Sequence, residues 1–109
     1  AESEREYQAA WQLGREFADT DETIETERET RRKLFAELRT LKTVMPENAD
    51  TPTICAVIQT KIKSTRRNIR AAYDRQREIV RDSYISKDVM DAFTDGAGLT
   101  SAEAARLFA

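Results

Sequence analysis

The chain has 109 residues, of which 35% are charged and 7% aromatic, with three glycines and two prolines. This composition favours long polar helices and excludes an all-β or collagen-like protein, and the length fits one domain. One cysteine and no histidine exclude an intramolecular disulfide, a Cys/His or Ser/His/Asp nucleophile and an ordinary zinc site. We therefore expect one elongated all-α domain over residues 1–109.

A first helix is predicted from about residue 3 to residue 45. This segment has no proline and one glycine, Gly14. Its apolar residues fall on the a and d positions of a seven-residue repeat, which is typical of a helix with a coiled-coil seam. They are Ala10, Leu13, Phe17, Ile24, Leu34, Leu38, Leu41 and Met45.

The clearest turn lies between Pro46 and Pro52, so residues 46–51 are predicted to connect two helices. Thr51 is a suitable N-cap for the second helix, with Pro52 at its first position. The helical spacing of apolar residues continues from residue 52 to about residue 93, which defines the second helix.

The sequence Asp95-Gly96-Ala97-Gly98 predicts the end of the second helix. Thr100 and Glu103 then have the spacing of a capping box, which marks the start of a helix. A short third helix is therefore predicted over about residues 100–108.

Two helices of about 40 residues joined by a short turn are expected to fold back as an antiparallel, coiled-coil-like hairpin. With the turn near residues 48–49, residues whose numbers add up to about 98 face each other. Leu38 then faces Ile62, and Phe17 lies near Val80. A single seam leaves apolar side chains uncovered, so we expect two hairpins to associate into a helical bundle, as a homodimer.

Nine apolar residues are predicted to form an interface. Through it, the helices contact a protein partner or a second copy of the chain. These residues are Trp11, Phe17, Phe35, Leu38, Ile62, Ile69, Tyr73, Phe93 and Phe108.

The charges are unevenly distributed, with a net charge of minus seven over residues 1–30 and plus six over residues 61–81. In the hairpin, the acidic run of residues 19–29 lies opposite Arg70, Arg75 and Arg77. Such complementary charges select the alignment of two helices more than they stabilise it.

The bases near the middle of the hairpin have few acidic neighbours, and we predict that they form a basic patch. Its members are Arg31, Arg32, Lys33, Arg39, Lys61, Lys63, Arg66, Arg67 and Arg70. Such a patch is suited to nucleic-acid phosphates or to an acidic protein. Phe35 is the one aromatic residue interleaved with it and the net charge is negative, so a merely solvated basic face remains the alternative.

The acidic segment Asp21-Glu22-Thr23-Ile24-Glu25 resembles the E-E-x-x-E magnesium motif of the all-α nucleotide pyrophosphohydrolases of the MazG type. The resemblance covers a handful of residues. The nearest counterpart of the family's second element, E-x-x-D, is Asp88-x-x-Asp91, far along the chain. The resemblance implies a hydrolase whose carboxylates hold Mg²⁺ against a triphosphate. A solvated acidic face is the simpler interpretation, so we expect no metal, no cofactor and no enzymatic activity.

The leading hypothesis is a non-enzymatic helical interaction protein that acts as an adaptor, assembly factor or regulator. The alternative is a nucleic-acid-associated accessory protein that binds the phosphate backbone, and a magnesium-dependent hydrolase is a distant third. The least charged stretch, residues 51–60, is about half the length of a transmembrane helix, so no membrane partner is expected. A cytoplasmic location is the default, with secretion left open.

Overall fold

A computed structural model describes the chain over residues 2–44, 49–83 and 87–109, and 93% of these residues are helical. The helices are α1 (Glu2–Val44), α2 (Thr51–Ser83), α3 (Lys87–Ala97) and α4 (Ser101–Leu107). No strand occurs among the described residues. Helices α1 and α2 contact each other as an antiparallel hairpin, which confirms the predicted all-α hairpin.

Among the described residues, the helix boundaries differ from the prediction in two places, at the start of α2 and at the end of α3. The predicted second helix corresponds to α2 and α3, and residues 84–86 between them lie outside the described residues. Residues 45–48, at the end of the predicted first helix and in the predicted turn, also lie outside them. The backbone N–H of Ile54 donates to the carbonyl oxygen of Asp50 (3.0 Å), so Asp50 and not Thr51 precedes the first residue of α2. Helix α3 continues through Gly96 to Ala97.

The chain divides into two compact units. Unit 1 consists of Ala1–Glu22 and Ala72–Ala109, and unit 2 consists of Thr23–Ala71. Each unit therefore contains part of α1 and part of α2, and unit 1 also contains α3 and α4.

The core of unit 2 is a small apolar cluster between α1 and α2. It contains Leu38, Cys55, Ile58 and Ile62, with Leu34 and Leu41 packed against it. Leu38 lies in one cluster with Ile62, as the predicted alignment requires. Thr65 interrupts the apolar seam, and its buried hydroxyl donates to the carbonyl oxygen of Ile62 (2.7 Å). This hydrogen bond removes the cost of burying an unpaired hydroxyl group.

The core of unit 1 is aromatic. Phe93 of α3 contacts Phe17 of α1 and Phe108, which follows α4, with ring centroids 5.6 Å and 5.3 Å apart in edge-to-face geometry. This is a preferred arrangement of aromatic pairs. Ile79 completes the buried cluster and Val80 packs against it, which agrees with the predicted proximity of Phe17 and Val80.

Two glycines bring α1 and α3 into close contact within unit 1. A Cβ atom at Gly14 would overlap the carbonyl oxygen of Phe93 and lie 2.8 Å from the nitrogen of Ala97. A Cβ atom at Gly96 would overlap the backbone of Trp11, with its carbonyl carbon 2.9 Å away. The segment Asp95-Gly96-Ala97-Gly98 was predicted to end a helix, but Gly96 lies inside α3. A glycine is required at this helical position because the crossing leaves no room for a side chain.

The connection between α3 and α4 is formed by local capping signals. Gly98 has a φ of 66°. Its N–H donates to the carbonyl oxygen of Asp95, and the N–H of Leu99 donates to that of Thr94, each with an N–O distance of 3.1 Å. These hydrogen bonds form a Schellman motif. Thr100 and Glu103 form the predicted capping box, and the backbone hydrogen bond from Thr100 lowers the pKa of Glu103. The predicted capping box and the short final helix that it starts are thus present, whereas α3 ends at Ala97 and not at about residue 93 as predicted.

Candidate functional site

The two units carry opposite net charges. Unit 2 contains eleven Lys and Arg residues and six Asp and Glu residues, a net charge of plus five. Unit 1 contains seven Lys and Arg residues and fourteen Asp and Glu residues, a net charge of minus seven. The formal net charge of minus two is therefore the sum of two strongly and oppositely charged units.

Four of the six arginines of unit 1 are paired with carboxylates. The pairs are Arg15 with Asp19, Arg75 with Glu16 and Glu78, Arg77 with Asp74, and Arg81 with Asp82. The pair between Arg75 and Glu16 is bidentate, with Nε–Oε1 and Nη2–Oε2 distances of 2.7 Å and 2.9 Å, and it joins α2 to α1. Its side-chain hydrogen bonds are the main reason that the pKa of Glu16 is lowered. These charges are therefore largely neutralised within the chain.

The acidic run of residues 19–29 was predicted to align the two helices by facing arginines of α2, and this was only partly correct. Arg77 pairs with Asp74 on its own helix, and Arg75 pairs with Glu16, which precedes the run. Glu25 and Glu29 pair with arginines three residues further along α1. Residues three apart on a helix are already neighbours on its surface, so the local partner is closer than one on the opposite helix.

The bases of unit 2 differ from those of unit 1. Among the nine predicted patch residues, Arg32 pairs with Glu29. Within the described residues, none of the other eight has a carboxylate within ion-pair distance. These eight are Arg31, Lys33, Arg39, Lys61, Lys63, Arg66, Arg67 and Arg70. All are exposed except Arg31, which is half-buried. Unit 2 therefore presents positive charge that no described carboxylate neutralises.

Four arginines surround an aromatic ring in an open groove of unit 2. The groove has a volume of about 380 Å³ and is lined by Arg28, Arg31, Arg32, Phe35 and Arg66. The guanidinium carbon of Arg66 lies 5.9 Å from the centroid of the Phe35 ring, which is cation–π geometry. Phe35 is 38% exposed. The groove thus combines guanidinium groups with an accessible aromatic surface, and no carboxylate lines it.

Helical periodicity extends this surface along both helices. Arg28 and Arg39 lie seven residues before and four residues after Phe35, hence on the same side of α1. Lys63 and Arg70 lie three residues before and four residues after Arg66, on the same side of α2. We call this surface the basic face, and it consists of Arg28, Arg31, Arg32 and Arg39 on α1 and Lys63, Arg66 and Arg70 on α2, around Phe35.

Three of the predicted patch residues lie away from the basic face. At about 100° per residue, Lys33 is on the opposite side of α1 from Phe35. Lys61 and Arg67 are about 140° and 100° around α2 from Arg66. All three are exposed. The structure therefore separates the predicted patch into a continuous face and three bases that point elsewhere.

Most of the predicted apolar contact residues are used inside the chain. Five of the nine are buried: Phe17, Leu38, Ile62, Ile69 and Phe93. Trp11, Tyr73 and Phe108 are half-buried. Phe35 is the most exposed of the nine, and it belongs to the basic face.

Arg28 was not predicted as a site residue, although it lines the groove. It precedes the basic block in the sequence and forms an ion pair with Glu25 (3.3 Å), so it looks like an ordinary surface residue. Its distance of two helical turns from Phe35 is the signal that identifies it.

The acidic segment is not arranged as a metal site. Among the described side chains, no group of three or more His, Cys, Asp or Glu residues is placed to hold a metal ion. Asp21 accepts a hydrogen bond from Gln76 (2.7 Å) and Glu25 accepts one from Arg28 (3.3 Å). The side chain of Asp88, which belongs to the predicted second element, lies outside the described part of the structure. The magnesium hypothesis gains no support from this arrangement.

No protein-family model, curated protein or solved structure matches this chain significantly. In the described segments, no helix combines the length and the apolar character that crossing a bilayer requires.

Proposed function

We propose that this chain is a non-enzymatic helical binding protein that holds an anionic partner on the basic face of unit 2. The observation that carries the proposal is the set of eight bases that have no carboxylate at ion-pair distance among the described residues, whereas Arg15, Arg75, Arg77 and Arg81 of unit 1 are paired. Like charges four residues apart on a helix destabilise it by about 0.2 to 0.5 kcal/mol per pair. An anionic partner relieves this repulsion, which makes binding favourable.

The burial of the apolar residues supports binding through charge and not through an extended apolar seam. A partner that binds by coiled-coil contacts needs exposed residues at seam positions. The seam residues Phe17, Leu38, Ile62 and Ile69 are already covered by the chain's own helices. The role of adaptor, assembly factor or regulator is therefore proposed to depend on the basic face.

A nucleic acid is the second candidate for the partner, and one observation favours it. The groove around Phe35 is lined by arginines and contains no lysine. The planar guanidinium group matches the geometry of a phosphate, to which it donates two hydrogen bonds at once. A nucleic-acid-associated accessory protein is thus one case of the proposed function, in which the anionic partner is a phosphate backbone.

The proposal is tested by measuring the affinity for three polyanions, namely polyphosphate, poly-L-glutamate and a DNA dodecamer, over a series of salt concentrations. The test variant changes three bases of the basic face to glutamine: Arg31→Gln, Arg66→Gln and Arg70→Gln. We expect the wild-type chain to bind at least one polyanion with steep salt dependence. For a nucleic acid, the loss of three phosphate contacts reduces the steepness of log K against log salt by about two for a single strand and by nearly three for a duplex.

A matched control removes the same number of charges from bases that lie away from the basic face. The control variant carries Lys33→Gln, Lys61→Gln and Arg67→Gln. We expect this variant to keep most of the affinity, because its charge change is equal but its position is different. Equal losses of affinity for the two variants would show that the polyanions are attracted by the overall charge and not held by the basic face, which would contradict the proposal. Absence of binding to all three polyanions at low salt would refute the proposed function.

A further inference from the structure

The groove of Arg28, Arg31, Arg32, Phe35 and Arg66 differs from an ordinary basic helix face in its aromatic floor. A solvated basic face needs no aromatic residue, and the part of an aromatic ring that faces water is apolar surface that a flat ligand can cover. The guanidinium carbon of Arg66 lies over the Phe35 ring, 5.9 Å from its centroid, and 38% of Phe35 remains exposed to solvent. The ring is therefore available to a flat ligand that also carries negative charge.

We infer that this groove binds single-stranded nucleic acid, with a base stacked on Phe35 and the neighbouring phosphates held by the surrounding arginines. The inference rests on the proposed function and adds to it the strandedness of the partner and the residue that contacts a base. Aromatic rings in a positively charged groove bind single strands because every base has a face that stacks. Bases of a duplex are already stacked on each other, so their faces are not available to Phe35.

The dimensions of the basic face are consistent with more than one nucleotide. Arg28 and Arg39 are eleven residues apart on α1, which corresponds to about 16 Å along the helix axis. The groove volume of about 380 Å³ lies within the range of about 300 to 1,000 Å³ for ligand pockets. Positive groups thus extend on both sides of the stacking residue, as a strand passing over Phe35 requires.

The test compares the affinity for a fluorescein-labelled dodecamer of deoxythymidine with that for a duplex of equal length, polyphosphate and poly-L-glutamate. The test variant is Phe35→Leu, which keeps an apolar side chain but removes the aromatic face. We expect a loss of about fivefold or more for the single strand, because stacking one base contributes at least this much. The slope of log K against log salt should stay unchanged, since no charge is removed.

Two further variants separate stacking from a general effect on the fold. Phe35→Trp restores an aromatic face, so we expect affinity equal to or above that of the wild type. Val57→Ala removes apolar surface at another exposed position of unit 2, on the side of α2 opposite Arg66, and should leave the affinity unchanged. Arg66→Gln should instead lower the salt slope by about 0.7, the value for one phosphate contact with a single strand.

Different outcomes distinguish the failure of this inference from the failure of the proposed function. Equal affinity for the single strand, the duplex and polyphosphate, together with no effect of Phe35→Leu, would overturn the inference and leave the proposed function intact. Tighter binding of poly-L-glutamate than of the single strand would also overturn it, in favour of an acidic protein segment. Absence of binding to any polyanion would refute both.

Discussion

Replacing Gly14 by alanine tests the close contact of α1 and α3 with a clear expected sign. On an exposed helix surface this change is favourable, because alanine exceeds glycine in helix propensity by about 1 kcal/mol. At Gly14 the new methyl group would overlap the carbonyl oxygen of Phe93 and lie 2.8 Å from the nitrogen of Ala97. These are backbone atoms, so no side-chain rotation relieves the overlap and the helices must move apart.

Overpacking of this kind costs about 1 to 3 kcal/mol, or more where the obstructing atoms cannot move, and separation of the helices also opens the cluster around Phe93. We expect a net destabilisation of about 2 kcal/mol. For a chain of this size that lowers the melting temperature by about 8 °C or more. Thermal unfolding followed by circular dichroism at 222 nm measures the change.

A control variant separates the overlap from helix propensity. Ala36→Gly is at an exposed position of α1 and should destabilise the chain by about 1 kcal/mol through propensity alone. Gly96→Ala, which meets the backbone of Trp11, should destabilise it like Gly14→Ala. A higher melting temperature for Gly14→Ala than for the wild type would show that α1 and α3 do not approach each other as the structure describes.

Three further predictions concern charge and association. Because Arg75 lowers the pKa of Glu16 below its ordinary value of 4.5, their ion pair stabilises the fold above that pH and the contribution is lost as the pH falls through the lowered pKa. Glu16→Gln should therefore slightly lower the melting temperature at pH 7, and the difference from the wild type should vanish in strongly acidic solution; an equal difference at all pH values would contradict this. The combined change Arg66→Glu and Arg67→Glu should leave the melting temperature nearly unchanged, because neither arginine has a carboxylate partner among the described residues, and a large drop would show a missed internal contact. Light scattering over a dilution series should give a mass above 12.5 kDa at high concentration, because Val44, Ile54 and Val57 remain exposed although the seam is covered, and a second copy would cover them. A monomer throughout would exclude the predicted homodimer.

The sequence predicts the parts of the fold that depend on local signals. Helical spacing identifies the long helices, and Thr100 with Glu103 identifies the final one, since a capping box is complete within four residues. The alignment of the hairpin also follows, because the turn fixes it and Leu38 and Ile62 meet as predicted. The position of Gly96 inside α3 does not follow, because it depends on a contact with Trp11, distant in sequence.

The candidate site was predicted in composition but not in arrangement. Counting bases identifies an excess of positive charge without showing on which side of each helix it lies, so Lys33 was grouped with Arg31 although the two point in different directions. Phe35 was assigned to apolar contacts because it lies off the a and d positions, where a single hairpin leaves it without cover. Its contact with Arg66 depends on the pairing of α1 with α2, which brings residues distant in sequence together.

The most direct test of the basic face as a binding surface is nuclear magnetic resonance, in which the ¹⁵N-labelled chain is titrated with the deoxythymidine dodecamer. We predict that the largest shifts occur for the backbone amides of residues 28–39 and 63–70 and for the side-chain Nε–H groups of Arg31 and Arg66. Residues of α3 and α4 should change little. The largest shifts on α3 or α4, or no localised shifts at any ratio of strand to protein, would contradict the assignment of the basic face as the binding surface.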